Sequence, residues 1–141
     1  MAAVNRSRVL LGAVAGGVVW IVWSVGLNLL FLAKYYEAGQ QAGFFLQEPR
    51  YPFFPAQWIL TLFICAFCMA SLYALVRVSC GPGPKTALQL GAVVGFVAGF
   101  PLSFASATWS PFPRMIPLGW MLEMWVGAIL ATLVAGWLYQ E

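Results

Sequence analysis

The chain has 141 residues, of which 62% are hydrophobic and only 8% charged, with a formal net charge of +3. Soluble domains carry about 25% charged residues, so there is too little polar surface here for a water-soluble globule, and too much apolar content for disorder. The absence of His removes the commonest haem ligand and the usual proton shuttle, and cations this few and scattered do not suit nucleic-acid binding.

A membrane span needs about 20 apolar residues to cross roughly 30 Å of hydrocarbon. Four segments meet that length: 9–33, 53–76, 87–109 and 115–139. The first follows Arg6 and Arg8. It is too long for a signal-peptide core of about 7–15 residues, and reads as a retained span ending at Lys34. Pro52 and Pro55 open the second, where a missing N–H costs little. Arg77 and the Cys80-Gly81-Pro82-Gly83-Pro84-Lys85 turn separate the second from the third. Ser110-Pro111-Phe112-Pro113-Arg114 separates the third from the fourth. The expected fold is all-α: one membrane domain over 1–141, built as a four-transmembrane-helix bundle.

Four spans put both termini on one side, with Arg6, Arg8, Arg77 and Lys85 there and Lys34, Arg50 and Arg114 opposite. That cation bias points to cytoplasmic termini in a cytoplasmic (inner) membrane. The connection 34–52 carries Tyr35, Tyr36, Phe44, Phe45 and Tyr51. Such rings favour the headgroup layer, so part of it is expected to form a short interfacial helix.

The third span echoes the first at an offset of 79: Gly12, Ala13, Val14, Gly16, Val18 and Ser24 recur as Gly91, Ala92, Val93, Gly95, Val97 and Ser103. The fourth echoes the second at an offset of 62, with Pro55, Trp58, Leu60 and Ala66 matched by Pro117, Trp120, Leu122 and Ala128. Two repeated helical hairpins related by an axis along the membrane normal would produce this pattern, although Gly-rich apolar helices also look alike by composition alone. Small residues recur every four positions at Gly12 and Gly16, and at Gly91, Gly95 and Gly99, with Gly127 in the last span. Residues four apart share a helix face, and glycines there let backbones approach closely. These rows either hold the bundle together or dock a second copy or another subunit.

Of the eleven charged residues only Glu123 lies within a span. It sits eight residues in, about 12 Å deep at 1.5 Å per residue. Ionisable groups at membrane depth cost about 2.5–3.5 kcal/mol or more on insertion scales, so they need partners or water. Asn28, Ser24, Gln57, Thr61, Ser103 and Ser106 fall in the same half of the bilayer and are expected to converge on it. Glu123 then either locks the bundle through hydrogen bonds or lines a wet cavity that binds a cation or a proton. Pro101, which frees a carbonyl one turn earlier, fits the cavity.

Cys65-Ala66-Phe67-Cys68 is a C-x-x-C on a span. Thiol–quinone oxidoreductases of the periplasmic disulfide-forming type resemble this chain in being four-span bundles with such a pair. Here the pair lies mid-span and no second pair faces it, so it reads as small apolar packing. The Glu48-Pro-Arg-Tyr-Pro-Phe53, Gly81-Pro-Gly-Pro-Lys-Thr-Ala87 and Ala135-Gly-Trp-Leu-Tyr139 segments resemble a group of small bacterial four-span membrane proteins of uncharacterised function; that resemblance implies no activity. No phosphate loop, dinucleotide fingerprint or catalytic triad is present. The expectation is a non-enzymatic structural or accessory membrane protein without metal or cofactor, associating through its glycine faces with itself or a larger complex. A small transporter or channel built on Glu123 is the alternative, and a thiol enzyme a distant third.

Overall fold

The computed structural model describes residues 4–139, so Glu141, one of the border charges, lies outside the described residues. Five α-helices account for the fold: α1 (Arg6–Leu27), α2 (Ala33–Gln41), α3 (Phe54–Cys80), α4 (Pro84–Trp109) and α5 (Met115–Leu138). A π-helical segment, Asn28–Leu32, joins α1 to α2 without a break. Four helical rods are long and apolar enough to cross a membrane: Arg6–Gln41, Phe54–Cys80, Pro84–Trp109 and Met115–Leu138. The fold is therefore an all-helical bundle of four spanning rods. We call the end holding Arg6, the α3–α4 turn and Tyr139 the terminal end, and the other the distal end.

The first rod differs most from the sequence expectation. It does not stop at Lys34 but runs for 36 residues, about 54 Å at 1.5 Å per residue, well beyond a hydrocarbon core of about 30 Å. Lys34 ends the apolar stretch, not the helix, because no proline or positive-φ glycine follows until Gly43. There φ is +79°, and the Phe44 and Gly43 N–H groups donate back to the carbonyls of Gly39 and Gln40, at 2.8 and 3.1 Å. This is a glycine-terminated helix C-cap. The expected interfacial helix is thus the continuation of the first span rather than a separate piece. The other stops follow local chemistry as read: Gly81 (φ +84°) ends α3, and Pro84 opens α4 in its first turn. Pro101 is carried within α4, on its exposed side.

Helix α5 is central. Gly119, Glu123, Gly127, Ala131 and Ala135 recur every four residues along it, and all are buried. This row faces α1 in antiparallel register. A Cβ on Gly12 would come within 3.1 Å of Ala135, and one on Gly16 within 2.9 Å of the Ala131 carbonyl. Gly127 seats the Trp20 indole. The opposite side of α5 takes α4: a Cβ on Gly91, Gly95 or Gly99 would meet the backbone of Ile129, Trp125 or Met121 at 2.6, 2.8 and 2.9 Å. Lipid tails are as apolar as the helices, so close backbone packing and hydrogen bonds hold such a bundle. Helix α3 completes it, with Phe63 lying over Gly17. The core is made largely of small residues around a few large ones, with Ala66, Ala70, Ala74, Ala128 and Ala131 surrounding Trp20, Leu62 and Tyr73.

The glycines matched between the first and third spans do not make matching contacts. Under a twofold relation of hairpins, the α1 glycines would face α3 as the α4 glycines face α5. Instead Gly12 and Gly16 face α5, because the small residues Ala131 and Ala135 of α5 are turned toward α1. Large apolar side chains point outward, among them Val14, Val18 and Val22 on α1 and Leu29 in the π-helical segment, as suits a lipid-facing surface. Trp109 and Trp137 lie exposed near opposite ends of the bundle.

Candidate functional site

Glu123 is 3% exposed, and neutral donors from two other rods engage its carboxylate. On one oxygen, Oε1, it accepts from the Ser24 hydroxyl and from the Trp58 indole Nε1 at 3.0 Å. On Oε2 it accepts from the Asn28 amide at 3.2 Å. The Asn28 amide also donates to the Ser24 carbonyl at 2.9 Å, and Trp58 lies 3.4 Å from the Ser24 hydroxyl oxygen. The Glu123 backbone is held as well: Trp20 Nε1 donates to its carbonyl at 3.1 Å. One residue earlier, Trp23 Nε1 donates to the Leu122 carbonyl at 3.2 Å.

From Asn28 the network continues toward the distal end. The Tyr36 hydroxyl donates to Asn28 Oδ1 at 3.1 Å and accepts from Trp120 Nε1 at 2.7 Å. The π segment begins at Asn28, the residue through which Glu123 and Tyr36 connect. A π turn places one extra residue per turn, and such bulges occur frequently at functional sites.

An aromatic cap closes the distal end over this network. Phe45 folds back across Gly39, which leaves no room for a Cβ. Its ring lies 6.0 Å from Tyr36 and 5.1 Å from Phe112, and Phe112 lies 6.0 Å from Trp120. Aromatic pairs at these separations contribute about 0.5–1.5 kcal/mol beyond their buried area.

The structure brings Glu123, Ser24 and Asn28 together, and separates them from the other polar residues of that half. Gln57 and Thr61 are exposed on α3, where the Thr61 hydroxyl donates to the Gln57 carbonyl at 2.8 Å. Ser103 is buried and Ser106 half-buried on α4. That helix packs on the far side of α5: Trp125, which meets Gly95, is two residues and about 200° around the helix from Glu123. Convergence by depth therefore fails for these four, since depth says nothing about which face a residue occupies. Trp58 takes the place expected of Gln57, one residue and about 100° away.

Trp58, Tyr36 and Trp120 were not among the expected site residues. A signal existed, because Trp58 and Trp120 are the matched tryptophans of the Pro-x-x-Trp-x-Leu segments. A buried indole N–H needs an acceptor, and Glu123 carries the one carboxylate within the four apolar segments read from the sequence. The six glycines singled out from the sequence all pack against their own chain: Gly12, Gly16 and Gly127 at the α1–α5 interface, Gly91, Gly95 and Gly99 at the α4–α5 interface.

Among the described residues no three Cys, Asp or Glu side chains gather as a metal site would require. Cys65 is half-buried, Cys68 and Cys80 are exposed, and all three are free thiols. Chemically, the cluster offers one enclosed carboxyl group, able to hold or release a proton, among donors that carry no charge. Comparison with protein-family models, curated proteins and solved structures gives no match to this chain.

Proposed function

We propose that this chain is a small polytopic membrane protein of structural or accessory type, and that Glu123 is a polar lock fixing α1, α3 and α5 in register. The observation that carries this is the enclosure of the Glu123 carboxylate by donors from Ser24, Asn28 and Trp58. A site built to pass ions needs an open route and weak, exchangeable contacts, whereas this carboxylate is 3% exposed beneath an aromatic cap. Its glycine rows are used within the bundle, so association with a second copy or a larger complex falls to the outward apolar faces of α1, α3 and α4. The excess of cations at the terminal end supports cytoplasmic termini in a bacterial inner membrane.

A second reading has a specific observation in its favour. The hydrogen-bonded series Glu123–Asn28–Tyr36 leads from mid-bundle toward the distal end, which suits a proton- or cation-binding carboxyl. One experiment separates the two. The full chain and its Glu123→Gln variant are purified in mild detergent, and co-purifying proteins, thermal stability and proton flux in liposomes are measured. The structural reading expects a lower Tm for the variant, no flux in either protein, and a retained partner or homo-oligomer. Flux in the parent that disappears in the variant would establish the transport reading instead.

A further inference from the structure

A second feature lies at the terminal end, away from Glu123. A groove of about 330 Å³ follows the seam between α1 and α3, with Val9 and Leu10 on one wall and Phe67 and Leu75 on the other. From Phe67 to Leu75 it extends about 12 Å at 1.5 Å per residue. Ser71 contributes the one polar side chain of the α3 wall, and its hydroxyl is satisfied by the Phe67 carbonyl at 2.7 Å. The groove therefore makes no demand for water. Arg6, the first residue of α1, lines it as well.

The charge around this end is one-sided. Arg6, Arg8, Arg77 and Lys85 are all there, and no Asp or Glu is found there among the described residues. The distal end mixes Lys34, Arg50 and Arg114 with Glu37 and Glu48. An apolar channel open to the bilayer, with an exposed cation at its end, matches a lipid in both parts: an acyl chain along the seam and a phosphate at the guanidinium, which offers five donors suited to phosphate oxygens. Lys and Arg near the membrane surface attract anionic lipid, and the local excess of positive charge selects for a net negative headgroup.

We infer that the α1–α3 seam is a binding site for one anionic phospholipid, its acyl chain between Leu10, Phe67 and Leu75 and its phosphate on Arg6. The test uses the full chain in mild detergent, with phosphatidylglycerol and phosphatidylcholine of identical acyl chains as probes, read by native mass spectrometry and by the shift in Tm. The parent protein is expected to retain one phosphatidylglycerol with about tenfold preference over phosphatidylcholine, equivalent to roughly 1.4 kcal/mol. Arg6→Gln brings phosphatidylglycerol down to the phosphatidylcholine level. Ser71→Leu fills the groove and removes both lipids. Arg114→Gln, at the distal end, changes neither. Equal retention of the two lipids by the parent protein overturns the inference, as does undiminished phosphatidylglycerol on Arg6→Gln or Ser71→Leu. Arg6 is exposed and its replacement leaves the core intact, so that variant decides the matter even where Ser71→Leu does not fold.

Discussion

Trp58 donates its indole N–H to Glu123 across 65 positions of sequence, from the second turn of α3 to the third turn of α5. The acceptor oxygen is shared with the Ser24 hydroxyl on α1. One carboxylate oxygen thus ties three helices through donors that carry no charge. In lipid, where apolar contact alone does not favour one helix neighbour over another, such a bond chooses the partner face.

Trp58→Phe keeps a ring in place and removes the donor. Hydrogen bonds between membrane helices contribute about 0.6 kcal/mol on average and up to about 1.7. A loss near the upper figure is expected, because a buried acceptor gives up a partner. Gln57→Ala, next in sequence but exposed, should be neutral. Reversible unfolding in mixed micelles measures both.

Ser24→Ala and Glu123→Gln should be strongly non-additive, since their side chains bond directly. A double-mutant cycle is expected to give a coupling of about 0.5–1.7 kcal/mol. The same cycle between Ser103→Ala and Glu123→Gln should give a coupling near zero, as Ser103 lies on the helix packed against the other side of α5.

Glycine replacements should divide sharply by face. A Cβ on Gly91 would come 2.6 Å from the Ile129 Cα, which is backbone and cannot swing aside. Gly91→Ala must therefore push α4 from α5 and is expected to cost about 1–3 kcal/mol, as overpacking does. Gly26 has nothing within 4 Å of such a Cβ. Gly26→Ala should be neutral or stabilising by up to about 1 kcal/mol, from helix propensity. Thermal unfolding in detergent separates the two.

Gly43→Ala places a side chain where φ is +79°, a conformation costing L-residues roughly 1–2 kcal/mol. The C-cap of α2 should loosen, and Phe45 with it. Faster deuterium exchange is expected at the amides of Phe44 and Phe45, which now donate to the Gly39 carbonyl, while the amides of α4 stay unchanged.

Thiol labelling checks the placement in the bilayer. Cys68 and Cys80 are both exposed on α3, but Cys68 lies about 21 Å along the helix from Phe54, where lipid covers it. In membrane fragments open to solvent on both faces, a water-soluble maleimide should modify Cys80 and spare Cys68. A membrane-permeant, lipid-soluble one should reach both.

Class, number of spans and the level of Glu123 are legible from the amino-acid order alone, because each is a matter of length and composition along one axis. Runs of apolar residues count the crossings, and a constant rise per residue sets depth. Local turn chemistry was equally legible at Gly81 and Pro84. The face each residue occupies was decided only by the tertiary structure. In a soluble bundle, water makes one side of a helix polar and so writes the face into the pattern. Here lipid and core are both apolar, and Val18, exposed, is written in the same alphabet as buried Leu62. That is why depth grouped Gln57, Thr61, Ser103 and Ser106 with Glu123 while packing chose Ser24, Asn28 and Trp58. The glycine rows marked close contacts correctly in kind, yet both rows meet α5: its own small residues Gly127, Ala131 and Ala135 receive α1, while at the other seam the glycines of α4 close onto the backbone at Met121, Trp125 and Ile129.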